Sequence, residues 1–378
     1  MEFMSTMEPP AVPPPRPLQV EYPNWQSRLL LSGAFQRQFI LPEDPNPVLE
    51  GLLTFIERYL MRIDLTGIEV DRPIILLGLP RTGSTMLQDV CCTHPQVAYI
   101  TNSMHQFPRC FCAAETMRKL LRLNARGERH LGDSVIVEAG SPSEALKFWG
   151  YWFGWDPYNL RYVPRPPESF TQQQIDEIHG YIKRVIWCHG RDRRFFNKNP
   201  GLIPDIPILR HIFPDAKFIH IVRDPRDTAN SMLKLYRLVL RQLEKIRSQT
   251  RHSYYQREPF IPYPRVPKLA DYVAEWGADD LRTTAHVWKD CMAIVREWQD
   301  RLPHFLEIRY EDILREPEKE LARIFEFAEL RPVGREDTRF WDKMAGVGKT
   351  HHTHTNKYGD FELIEDICRD EMQTLGYA

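Results

Sequence analysis

Two hydrophobic periods alternate along this chain. PIILLGLP, from Pro73, is a continuous apolar run closed by a Gly-rich turn, and STMLQDVCCTHP after it reads as a helix that stops before Pro95. The logic repeats downstream. A short strand at Arg194–Asn197 leads to a helix around Ile206–Ile212, a buried strand at Lys217–Val222, then a loop and a helix from Thr228. A strand at Phe305–Arg309 precedes an amphipathic helix from about Pro317, with Leu321, Ile324 and Phe325 on one face. Strands alternating with helices predict an α/β fold whose mostly parallel central sheet is flanked by helices on both faces.

Ahead of the first strand, Trp25 to Arg62 reads as two helical stretches separated by Pro42, Pro45 and Pro47. In the second, Leu49, Leu52, Leu53, Ile56 and Leu60 recur at helical spacing. The Pro-rich start is expected to be a flexible leader over residues 1–20, with 21–378 forming one domain that carries this helical lead-in and insertions. No solenoid-type repeat interrupts it.

Composition narrows the partners. The chain has 378 residues, 42% of them hydrophobic, enough for a large core. Fifty basic residues balance 51 acidic ones, so no global field favours nucleic acid or an anionic membrane, and any anion site must be local. No run approaches the roughly 18 apolar residues of a membrane span. The seven cysteines (91, 92, 110, 112, 188, 291 and 368) follow neither zinc spacing nor a secreted disulfide framework, so reduced thiols, a cytoplasmic location and no metal site are expected.

Against that neutral background, GLPRTGST (Gly78–Thr85) stands out. It meets the phosphate-loop pattern G-x-x-x-x-G-K-[ST] at Gly78, Gly83 and Thr85, but Ser84 occupies the lysine position and the nearest cation is Arg81. A loop leaving a strand and opening a helix holds an anion on its N–H groups. The missing lysine argues against ordinary triphosphate chemistry. After the buried strand FIHIV come Arg223, Asp224 and Pro225, with Ser231 on the following helix, so an arginine and a helix-borne hydroxyl form a second anion clamp. The alternative is an Arg223 paired with Asp224 or Asp227. Two clamps at one sheet edge suit a ligand with two separated anionic ends.

PRTGST, KNPG, RDPRDTANS and RYED, in this order and context, resemble the sulfotransferases that use 3′-phosphoadenosine 5′-phosphosulfate, and most of all their bacterial-type branch. The resemblance covers about Arg72 to the end and implies the phosphate-loop nucleotide hydrolase-like sulfotransferase fold, that cofactor and no metal. It implies that Arg81, Thr82, Gly83, Ser84 and Thr85 hold the 5′-phosphosulfate, with Arg81 acting at the leaving oxygen. Arg223 and Ser231 then fall at the 3′-phosphate and Tyr310 near the adenine. A late loop containing Gly346, Gly348, Lys349 and Thr350 aligns with the family's cofactor cover, which would account for His351, His352 and His354 without a metal.

The family's base is a histidine or glutamate within or soon after the first-loop helix. YITNSMHQFPRC has no carboxylate there, which makes His105 the expected catalytic base, with His130, Glu138 and Glu144 as competitors. FWGYWFGWDPY, seven aromatics in eleven residues with Trp152 at its centre, is either core or a wall of the acceptor pocket. The basic stretch from Arg237 through Arg241, Lys245, Arg247, Arg251 and Arg257 is either a solvated face or a rim for an acidic acceptor. The expected activity is transfer of a sulfuryl group to a hydroxyl, less readily an amine, of a small molecule, lipid or glycan. The rivals are a nucleotide kinase with a degenerate phosphate loop and a non-catalytic nucleotide-binding partner protein.

Overall fold

The structure, a computed structural model, describes residues 20–32, 46–129, 135–156, 158–247, 260–347 and 360–377. In chain order the elements begin with helices α1 (Trp25–Leu31) and α2 (Pro47–Phe55), strand β1 (Ile74–Leu77), helix α3 (Ser84–Cys91) and strand β2 (Val97–Ala98). Helices α4 (Asn102–Gln106) and α5 (Phe111–Leu120) follow, then the hairpin strands β3 (Arg126–Glu128) and β4 (Ile136–Glu138), and helices α6 (Leu146–Phe153) and α7 (Gln172–His189). Next come β5 (Arg194–Lys198), α8 (Ile206–Ile212), β6 (Lys217–Val222), α9 (Pro225–Arg247), α10 (Leu269–Trp276) and α11 (Leu281–Gln299). The chain closes with β7 (His304–Arg309), α12 (Tyr310–Arg315), α13 (Pro317–Phe327), α14 (Thr338–Met344) and α15 (Phe361–Leu375).

A parallel sheet runs in the order β2-β5-β1-β6-β7. Its central strands are buried on both faces, and the pleat divides them: Ile75 and Leu77 join the larger core with α6, α7, α9 and α11, while Ile74 and Leu76 join the other with α3, α13 and α14. This is the expected α/β arrangement, with β1, β5, β6, α8 and α13 where the apolar runs place them. Register brings three carboxyl ends together, because Leu76 lies beside Lys198 on one side and Leu77 beside His220 on the other.

Two boundaries differ from the sequence reading. Helix α9 starts at Pro225 rather than Thr228, since Asp224 Oδ1 accepts the Arg226 N–H at 2.8 Å and proline is at home in a first turn. Pro47 opens α2 instead of separating helices, with Asn46 capping it at the Val48 N–H (2.9 Å), and the helix runs on as a π-turn at Ile56–Leu60. Pro42 and Pro45 lie outside the described residues. Of the five apolar residues in that lead-in, Leu53 is fully buried and Leu52 and Leu60 are exposed.

The aromatic stretch belongs to the core. Phe148, Trp149, Trp152 and Phe153 are buried, and their helix braces the turn after β5: Trp149 Nε1 donates to Asn197 Oδ1 at 2.8 Å, and Trp155 packs on Gly201. No helix among the described residues is long and apolar enough to cross a membrane. All seven cysteines are free thiols.

Asp205 ties this brace together, accepting from Trp155 Nε1 at 2.9 Å and Tyr162 Oη at 2.6 Å, and burial pushes its carboxyl up to about 7 against the pull of those bonds. A carboxyl raised in the folded state binds a proton that the unfolded chain has already lost. Asp205 therefore lowers stability as pH rises from about 4 to about 7, by at most about 1.4 kcal/mol per pH unit, and adds no slope above. Urea unfolding of Asp205→Asn across that window should show a flatter pH dependence than the wild type; parallel curves would contradict it.

Candidate functional site

The loop between β1 and α3 is shaped by two left-handed residues. Gly83 has φ +83° and Arg81 has φ +73°, a conformation that costs a side-chain-bearing residue about 1 kcal/mol. Thr82, fully buried, holds the turn through Oγ1 to the Leu79 carbonyl at 2.9 Å. Close approach also requires glycine here: a Cβ on Gly83 would lie 2.4 Å from the Tyr310 ring, and one on Gly78 would lie 2.5 Å from Ile221 Cγ2. Ser84 and Thr85 open α3, where backbone N–H groups face outward without helical partners.

The second clamp meets the first directly. Arg223 is buried at the carboxyl end of β6 and donates Nη1 to the Arg81 carbonyl at 3.0 Å. Nη2 reaches Asp227 at 3.0 Å, so the expected pairing with an aspartate and the clamp geometry coexist. Its guanidinium lies over the Tyr310 ring at 4.5 Å, and its Nε is buried with no hydrogen-bond partner among the described residues. Ser231, nearly two turns into α9, accepts from Arg81 Nε at 3.0 Å. Tyr310, first residue of α12, thus stands between the two loops.

The structure adds a cation that sequence reasoning passed over. Lys198, last residue of β5 and 2% exposed, points its ammonium at Thr85 Oγ1 (3.3 Å) and forms an ion pair with Glu144 Oε1. Burial lowers its pKa, and the Glu144 carboxylate opposes that shift. Glu144 is aimed from both sides: Asn199 Nδ2 donates to its carbonyl at 2.9 Å, and Ala145 beside it is left-handed at φ +55°. The signal was present in KNPG, a lysine ending a buried strand, but nothing in the sequence joins it to a glutamate 54 residues away.

The remaining expectations are dispersed. Arg81 turns toward Ser231, and Lys198 is a cation at the Thr85 hydroxyl. His105 is half-buried on α4, its N–H bonded to the Thr101 carbonyl at 2.9 Å, while the bonds leading from the loop run to Glu144. Glu138 is on β4, accepting from Asn124 Nδ2 at 2.8 Å, with Arg126 at 3.6 Å. Trp152 is buried and packs on Tyr181 within the core. In the basic stretch Arg237 is held by Asp279 at 2.6 Å. His130, Lys349, Thr350, the three later histidines, Arg251 and Arg257 lie outside the described residues. No cluster among the described residues has the make-up of a metal site.

Residues 73–259, which hold both clamps and Lys198, match the model of the sulfotransferase family. Over those residues the chain is similar to the sulfotransferase family. It is 24% identical over 269 residues to the ω-hydroxy-β-dihydromenaquinone-9 sulfotransferase Stf3 of Mycobacterium bovis, covering 68% of this chain and 62% of that protein. It is 30% identical over 195 residues to human carbohydrate sulfotransferase 2, covering 45% of this chain and 36% of the human protein. This chain therefore spans less than two thirds of the length of these relatives. Its fold is similar to that of the sulfotransferase STF9 from Mycobacterium avium, with TM-score 0.51 and 19% identity over 85% of this chain and 80% of that one.

The Gly83–Tyr310 contact gives this site a test that needs no substrate. Gly83→Ala must adopt φ +83° and displace the ring, so urea unfolding should show a loss of about 1–3 kcal/mol. An unchanged midpoint would mean the loop and α12 do not pack as described.

Proposed function

We propose that this chain moves a sulfuryl group from 3′-phosphoadenosine 5′-phosphosulfate to a hydroxyl of a small-molecule, lipid or glycan acceptor. The observation that carries the reading is the junction of the two clamps, Arg81 Nε on Ser231 and Arg223 on the Arg81 carbonyl, each at 3.0 Å. That junction suits an adenosine bearing anions at both its 3′ and 5′ ends. The Arg223 Nε, without a partner among the described residues, is a fitting donor for the 3′-phosphate, with Ser231 and Arg81 beside it. The Gly83–Thr85 N–H groups would hold the 5′ end, and Tyr310 offers a ring edge toward the base. Residues 21–378 act as one domain. Free thiols at all seven cysteines support a reducing, cytoplasmic location.

The bound donor supplies a sulfuryl group on a phosphate leaving oxygen. Glu144 accepts the proton of the acceptor hydroxyl as its oxygen bonds to sulfur. The sulfur–phosphate oxygen bond breaks, and its electron pair stays on the phosphate oxygen, where the Lys198 ammonium donates a hydrogen bond. Charge builds on that leaving oxygen in a loose transition state, so a positioned cation acts most strongly there. Burial, by lowering the Lys198 pKa, makes it a better donor to that oxygen.

Two variants separate the roles. Lys198→Met keeps the length of the stem and should lower kcat by about two to three orders of magnitude, as loss of an oxyanion donor does. Glu144→Gln should lose about 10² to 10⁴, the range of a general base, with cofactor affinity changed only a few-fold. Single-turnover transfer of radiolabelled sulfate reads both, and a kcat near wild type in either removes that residue from the mechanism. Arg223→Ala should weaken adenosine 3′,5′-bisphosphate by about 1.5–3 kcal/mol and adenosine 5′-phosphate far less. Equal losses in calorimetry would move the 3′-phosphate elsewhere.

A further inference from the structure

A cavity of about 380 Å³ lies at the β2 edge of the sheet, beneath the turn Gly140–Pro142, between α3, α5 and α14. Its lining carries five arginines and lysines against three carboxylates. All three carboxylates are already engaged, Glu138 by Asn124 and Arg126. Glu115 accepts from Arg118 Nε at 2.8 Å and Nη2 at 2.6 Å, and Asp89 lies 3.6 Å from Lys343 Nζ.

Arg193 and Arg339 reach the cavity from opposite elements, the start of β5 and α14, and neither joins an ion pair among the described residues. Tyr99 lines the cavity with them, its hydroxyl turned to the Gly140 carbonyl at 3.5 Å and its pKa pushed up by burial. Two like charges lining one polar cavity are relieved by an anion, and guanidinium forks fit a carboxylate best.

The cavity and the reacting end share one face of α3. Thr85, Asp89 and Cys92 recur at spacings of four and three residues and so share one face of α3. Thr85 meets Lys198, whereas Asp89 and Cys92 line the cavity about one and two turns further along, ~6 Å per four residues. On the other side, Pro142 lines the cavity two residues before Glu144.

We propose that this cavity receives a carboxylate carried by the acceptor itself, gripped by Arg193 and Arg339, while the acceptor's hydroxyl lies at Glu144 and Lys198. The inference rests on the sulfuryl-transfer reading and makes the substrate class a hydroxy acid. The acidic acceptor considered from the basic stretch at Arg237 would then be recognised at the opposite edge of the sheet, by residues far apart in sequence.

The test uses 4-hydroxyphenylacetate and its primary amide, which differ in charge at one group. In calorimetry on the full chain saturated with adenosine 3′,5′-bisphosphate, the acid should bind at least about tenfold more tightly than the amide, the effect of one charge-assisted contact. It should also be the better acceptor by a similar factor in kcat/KM. Arg193→Gln combined with Arg339→Gln should erase both preferences and leave the bisphosphate affinity unchanged, which shows that the variant is folded. Equal binding of acid and amide, or a preference that survives the double substitution, overturns the proposal. So does arginine-dependent binding of the acid that fails to inhibit transfer to the amide's hydroxyl, since the cavity would then be a separate anion site. Failure of the wild type to bind the bisphosphate strikes the sulfuryl-transfer reading instead, while the acid and amide compared on the protein alone still report on the cavity.

Discussion

A lysine ammonium buried at the end of a sheet strand is costly unless other groups meet it. In this protein Lys198 is 2% exposed, and what meets it is Glu144 and the Thr85 hydroxyl. Much of the site's construction follows from satisfying that one charge. The segment before α6 must return across the sheet to deliver Glu144, with Ala145 in a left-handed conformation and Asn199 holding the preceding carbonyl. The aromatic face of α6 then seals the turn after β5, through Trp149 on Asn197 and Trp155 over Gly201.

The same constraint accounts for the phosphate loop's unusual composition. In a triphosphate-binding loop the lysine stands on the loop itself; here that position is Ser84, and a cation arrives from the adjacent parallel strand, level with Leu76 in register. Arg81 is thereby released toward Ser231, and Arg223 on the other flanking strand bonds the Arg81 carbonyl. Three neighbouring parallel strands, β5, β1 and β6, each deliver one part of an anion site to a single edge. Short-range geometry of this kind suits a ligand with two separated anionic ends, because each end finds its own arginine or lysine.

The parts legible in the sequence were the contiguous ones. β1, β5, β6 and β7 are short, strongly apolar or alternating runs bounded by turns, and both arginine-bearing loops lie next to them. The two-residue β2 carries too little pattern to read, and the β3–β4 hairpin buries only Gly127 among its six residues. Trp152 could be core or pocket wall on composition alone, and only packing on Tyr181 decides. The pairing of Lys198 with Glu144 is a product of strand order, which no local motif encodes, whereas His105 came forward because it is close in sequence to the first loop.

The central claim is that the two clamps and the strand-borne lysine together select an adenosine with anions at both the 3′ and 5′ ends over a linear triphosphate. The most direct measurement is calorimetric binding of adenosine 3′,5′-bisphosphate and of ATP with Mg²⁺ to the unmodified chain at one ionic strength. The account predicts that the bisphosphate binds at least about a hundredfold more tightly, the ~2.7 kcal/mol expected of one or two charge-assisted bonds to the 3′-phosphate. Equal affinities, or tighter binding of ATP with Mg²⁺, would contradict it and return the loop to triphosphate chemistry.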